Sequence, residues 1–132
     1  MNGLDALALG IMQAEGFTSG SRSFKNCNPL NLRAGYGEIG KDDLGLAVFP
    51  DFLTGYRAAI QDLSAKLEGR TRTGLTPSSS LLDLLQVWTG APSLTESSEY
   101  YIVVWRYIGR LESPQLSQLW TPEQGIPWGK FV

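Results

Sequence analysis

The chain has 132 residues, 42% of them hydrophobic and 11% aromatic, which suffices for one compact core and is short for two. A formal charge of -2 with no long basic run lacks the lysine- and arginine-rich footprint of phosphate binding, so no nucleic-acid partner is expected. Histidine is absent and Cys27 is the single cysteine, which excludes a histidine-based nucleophile system, an intramolecular disulfide and a cysteine zinc cluster. No metal or cofactor is expected, and acid-base chemistry falls to carboxylates or tyrosine. No stretch reaches the roughly 20 apolar residues of a membrane span, and MNGLDALALGIMQ has no basic region ahead of its apolar part. The expectation is a chain made in the cytoplasm without a signal peptide.

The first element is a helix. From Leu4, the apolar positions Leu7, Ala8, Ile11 and Met12 recur at the three-and-four spacing of one helical face, and the next position on that face is Glu15. Gly16 follows, suited to ending the helix. A carboxyl group removed from water holds its proton more readily than one in solvent, and a protonated carboxyl can act as a general acid. Two readings of Glu15 stand on periodicity alone: an acid aimed into the interior or a cleft, and a last-turn glutamate in solvent.

Residues 17 to 33 read as an ordered loop, because Phe17, Phe24 and Leu32 need burial among Ser, Gly and Asn. Glycines at 35, 37, 40 and 45 punctuate short β-like pieces at about 36 to 39 and 46 to 49, which predicts a small hairpin. Asp51 caps a long helix with Phe52, Tyr56, Ala59, Ile60, Leu63 and Leu67 on one face and Gly69 as its stop. Residues 70 to 79 form a polar connection. Ser80 with Asp83 has the form of a capping box opening a short helix from Leu81 to Trp88, and Ser93 with Glu96 repeats that signature. The next helix carries Tyr101, Val104, Trp105, Ile108 and Leu111 at core spacing. A core of about residues 3 to 111 is then covered by a tail, residues 112 to 132, containing Trp120 and Trp128 among prolines.

The residues that carry chemistry are Glu15, the polar loop Asn28-Pro29-Leu30-Asn31-Leu32-Arg33 and the glycine-rich hairpin ending in Val48-Phe49-Pro50. Amides and a guanidinium bond acetamido and hydroxyl groups, while an acid protonates a glycosidic oxygen, which together suit a neutral or N-acetylated sugar polymer. A second carboxylate would come from Glu38, Asp42, Asp43 or Asp51, of which Asp51 is better explained as a helix cap and Asp42-Asp43 as a solvated turn.

In order along the chain, Ala14-Glu15-Gly16-Phe17, the loop from Asn28 to Arg33, Gly45-Leu46-Ala47-Val48-Phe49-Pro50, Gly55 and Tyr101-Ile102 resemble small lysozyme-like domains of phage, prophage and bacterial proteins. These are related in fold to soluble lytic transglycosylases and goose-type lysozymes. The resemblance covers roughly residues 5 to 110. It implies a mainly α (α+β) fold, a helical body with a small β-hairpin beside the cleft. It implies Glu15 as the catalytic acid, with Asn28, Asn31 and Arg33 forming one wall of the site and Tyr101 reaching the cleft; aromatics such as Tyr36, Phe49 or Tyr101 are expected to offer apolar faces to the sugar rings. The substrate implied is peptidoglycan or a related N-acetylated glycan, cleaved by a monomer at the MurNAc-β-1,4-GlcNAc bond in the cell wall or periplasm. The families resembled include enzymes with one acid, in which the substrate's N-acetyl or 6-hydroxyl group supplies the nucleophile. Cys27 stands where the pattern has Asn, and Leu30 where it has Gly. The alternative from another class is a virion or wall-associated module that keeps the fold and glycan binding without turnover.

Overall fold

The structure is a computed structural model and describes residues 3 to 109. The order is α1 (Gly3–Ala14), α2 (Arg22–Lys25), β1 (Gly40–Lys41), β2 (Ala47–Val48), α3 (Phe52–Leu67), α4 (Leu81–Thr89) and α5 (Glu99–Ile108). The architecture is therefore mainly helical with one small antiparallel sheet, in which Gly40 pairs with Val48 and Lys41 with Ala47. The expected tail, residues 112 to 132, and the core position Leu111 lie outside the described residues.

The core is made where the apolar stripes of the helices meet. Leu4, Leu7, Ala8 and Ile11 of α1 pack with Ala59, Ile60 and Leu63 of α3, Leu81, Leu84 and Leu85 of α4, and Val104 of α5, all fully buried. Burying such side chains is the main favourable term in folding, about 1.5 to 3 kcal/mol for each large aliphatic residue. Helix α1 makes its most extensive contacts with α5 and lies also against α3. Gly10 sets the approach: a Cβ there would sit 3.0 Å from the Val104 Cα and 3.2 Å from the Tyr107 Cβ, so the α1 backbone lies directly on α5.

The helix ends follow their local chemistry. Asp51 Oδ1 accepts from the Thr54 amide at 2.8 Å and caps α3. Ser80 and Asp83 close a full capping box on α4, which ends at Gly90 in the left-handed conformation. At α5 the expectation is corrected. The cap position is Ser98, not Ser93, because the chain from Pro92 to Ser98 folds into turns in which Leu94 is buried and Thr95 bonds Ser98.

The region before α3 holds the other differences. A short helix, α2, forms within residues 17 to 33, capped by Ser21. Phe24 is 47% exposed rather than buried, its ring meeting Phe17 at a tilt, and Phe17 in turn meets Phe52. The first hairpin arm pairs at Gly40–Lys41 rather than at 36 to 39, because Ile39 reaches the sheet by a single bond to the Val48 carbonyl. Trp105, read as a core position, is 37% exposed: the face of α5 that meets α1 is centred on Tyr101 and Val104.

Candidate functional site

Glu15 closes α1. The Gly16 amide donates to the Gln13 carbonyl at 3.1 Å and the Phe17 amide to the Met12 carbonyl at 3.2 Å, with Gly16 at a φ of 76°. These are the paired bonds of a Schellman cap, and they make Glu15 the C-cap residue, one position past Ala14, with its side chain on the apolar face. The carboxylate does not project into open solvent. Its Oε1 accepts from the Tyr100 hydroxyl at 2.9 Å and its Oε2 from the Asn31 amide nitrogen at 3.3 Å.

Tyr100 arrives from the first turn of α5, which runs antiparallel to α1. From the close approach at Gly10 and Val104, five residues forward on one helix and four back on the other bring Glu15 to Tyr100. Burial, and then the nearby Glu15 charge, push the Tyr100 hydroxyl far above the ordinary phenol range, so it stays protonated and donates.

Asn31 is held by the loop that Asn28 organises. Asn28 is fully buried; its amide nitrogen donates to the carbonyls of Leu32 and Ala47 at 2.8 and 2.9 Å, and its Oδ1 accepts from the Leu32 amide at 2.9 Å. One side chain thus ties the loop to β2, and the Ala47 amide adds a bond to the Leu32 carbonyl. Two residues of this loop adopt left-handed backbone, Cys27 at a φ of 51° and Asn31 at 55°. Asparagine tolerates that region well and cysteine does not, so the departure at Cys27 is the strained one. Leu30 needs no unusual φ and is fully buried in the core. The loop also rests on α3 at Gly55, where a Cβ would come within 2.0 Å of the Cys27 carbonyl oxygen.

Glu15, Asn31, Leu32 and Arg33 form one side of an open cleft of about 630 Å³, with Tyr100 beside them. Asp62 and Lys66 of α3 and Val87, Trp88 and Thr89 of α4 also line it, with Leu46, Thr73 and Gly90. A shallower hollow of about 480 Å³ shares Thr73, Val87 and Gly90 with the cleft and continues it along α4 to Pro92. Arg33 is exposed at its edge.

The expected substrate contacts are distributed unevenly. Asn31 and Arg33 line the cleft with Glu15. Asn28 is buried beneath it as the loop's staple, and Phe49, 2% exposed, packs under Gly35 and Gly55. The tyrosine that reaches Glu15 is Tyr100; Tyr101, 5% exposed, points into the core. Tyr36 is 86% exposed and away from the cleft lining. The candidate second acids are all engaged elsewhere: Asp42 and Asp43 with Arg22, Glu38 with Lys41, and Asp51 at its cap. Asp62, Lys66 and Trp88 were not singled out from the sequence, and the signal available was the four-residue spacing of the first two. No group of histidine, cysteine or carboxylate side chains that could hold a metal occurs among the described residues, and no helix among them is long and apolar enough to cross a membrane. The chain matches no protein-family model, no curated protein and no solved structure.

Proposed function

We propose that this chain is a lysozyme-like domain that cleaves the β-1,4 bond between N-acetylmuramic acid and N-acetylglucosamine in peptidoglycan, with Glu15 as general acid. The observation that carries the reading is the pairing of Glu15 with Tyr100 and Asn31 at the wall of an open groove. A carboxyl group held by two neutral donors keeps one fixed orientation, which proton delivery to a glycosidic oxygen requires. The same two donors stabilise the carboxylate left after the proton has moved.

In this mechanism Glu15 gives its proton to the leaving oxygen as the bond to C1 breaks. Tyr100 stays on Oε1 throughout. The Asn31 amide, with its nitrogen toward Oε2, suits the ionised acid; rotated by half a turn it presents Oδ1 to the protonated one. Oδ1 is buried and accepts no hydrogen bond among the described residues, so that rotation breaks no bond made by the oxygen. Arg33 and the polar groups of the groove bond hydroxyl and acetamido substituents. The hollow along α4 offers room for further sugar units, and a peptidoglycan substrate would place the site of action in the cell wall or periplasm.

The test is release of soluble fragments from purified peptidoglycan, analysed by mass spectrometry for the protein and for Glu15→Gln. Glu15-dependent release supports the reading. Binding without release assigns the domain to the non-enzymatic, glycan-binding class.

A further inference from the structure

Helices α3 and α4 supply five side chains to the cleft, and their hydrogen-bonding capacity is unevenly spent. Lys66 holds both oxygens of Asp62 at 2.7 and 2.8 Å, and its ammonium lies 5.1 Å from the centroid of the Trp88 ring. The Lys66 side chain is 11% exposed and that of Asp62 36%, so the cation is spent on the carboxylate and the indole, and the carboxylate is the accessible end of the pair. Thr89 donates to the Leu85 carbonyl at 2.7 Å and accepts from the Ala91 amide at 3.2 Å, which commits its hydroxyl to its own helix end. Each Asp62 oxygen accepts from Lys66 and retains a second lone pair. Asp62 is therefore the acceptor of this wall, and Val87, 37% exposed, and Trp88 give the same wall apolar surface.

We propose that this wall is a subsite for the acetamido group of an N-acetylated sugar, with Asp62 accepting from the amide N–H and Val87 and Trp88 covering the methyl. The inference rests on the reading of the groove as a glycan site, and it names the substituent that α3 and α4 select. Three properties point to an amide. The group must donate a hydrogen bond, because Asp62 accepts and Lys66 is already engaged. It must be uncharged, because the ion pair cancels and offers no counter-charge. It must also carry a small apolar part, because Val87 and the indole otherwise stay wet. A sugar hydroxyl meets the first two requirements and an ammonium only the first, whereas an acetamido group meets all three. Lys66 is a positioning residue: an exposed helix pair holds no fixed geometry, but here the indole covers the cation and so fixes the carboxylate.

The test measures binding of the N-acetylglucosamine tetramer and of cellotetraose, which has a hydroxyl in place of each acetamido group, to the full chain carrying Glu15→Gln, by calorimetry. The N-acetylated tetramer should bind about 10-fold more tightly or better, the scale of one satisfied polar contact. Adding Asp62→Asn, which keeps an oxygen for Lys66 and turns an N–H toward the ligand, should weaken that tetramer about 10-fold and leave cellotetraose within about 3-fold. Asp62→Leu with Lys66→Met removes the pair without stranding a charge and should give the same selective loss, with thermal unfolding as the check on the fold. Saturation-transfer NMR should place the acetyl methyl against the protein. Equal affinity for the two tetramers, no binding of either, or an equal loss for both on changing Asp62 overturns the proposal. None of these outcomes touches the role of Glu15, which is read from peptidoglycan cleavage. Selective binding without Glu15-dependent cleavage upholds the subsite and overturns the catalytic reading alone.

Discussion

The Tyr100 hydroxyl donates to Glu15 Oε1 at 2.9 Å, linking two residues 85 positions apart in the chain. The bond exists because α1 and α5 lie backbone to backbone at Gly10, so the end of one helix and the start of the other coincide at the cleft. Tyr100→Phe removes the donor and keeps the ring. A hydrogen bond to a charged group contributes about 1.5 to 3 kcal/mol, so kcat/KM for peptidoglycan cleavage should fall by roughly 10- to 100-fold. Tyr101→Phe, in the core beside it, should leave the rate within about 3-fold of the unaltered protein, consistent with the usual small effect of a change away from the site.

Gly10→Val tests the close approach of the helices. The added side chain meets the Val104 Cα and carbonyl at distances near 3 Å, and backbone cannot yield as a flexible side chain does. Overpacking of this kind costs about 1 to 3 kcal/mol or more. Urea unfolding should show that loss, and fragment release should fall further than stability alone explains, because α5 carries Tyr100.

Asn28→Ala should cost about 2 to 4 kcal/mol, since it leaves the Leu32 amide without its acceptor and removes the donor to two carbonyls at a fully buried position. Asn31 and Arg33 would lose their fixed positions with the loop. Thermal unfolding gives the stability, and the KM for soluble glycan fragments should rise.

Asp42 governs an acid-sensitive part of the stability. The Arg22 guanidinium holds its carboxyl well below the usual carboxylate range, helped by the Asn26 amide and the Leu46 and Leu44 backbone N–H groups. A depressed folded-state value means stability that is present above the ordinary value of 3.8 and lost as pH falls below it. Asp42→Asn should therefore lower Tm near neutrality and flatten the decline of Tm below about pH 4, measured by calorimetry across pH.

Much of this architecture is written locally. The three-and-four spacing that runs into Glu15, the Asp51 cap and the Ser80–Asp83 box each depend on residues within one or two turns, and each forms where the spacing predicts. Ser93 and Glu96 carry the same local signature and do not cap a helix, because the turn bonds around Leu94 and Ser98 prevail. Helical period points to the stretch containing Tyr100 and Tyr101 but does not choose between neighbours; the choice depends on how α5 packs on α1, in close contact at Gly10. Asp62 and Lys66 pair at a four-residue spacing within α3, whereas the meeting of Lys66 with Trp88 of α4 is tertiary. Strand β2 is likewise held by distant residues, its Ala47 bonding Asn28 and Leu32 as well as β1.

The most direct measurement is the rate of soluble fragment release from purified peptidoglycan by the unaltered protein and by Glu15→Gln, at equal concentration and matched folded fraction. Loss of a positioned general acid lowers such a rate by about 100-fold or more, and that drop is the expected result. Release by Glu15→Gln at the unaltered rate, or no release by either protein, contradicts the assignment of Glu15 as the acid.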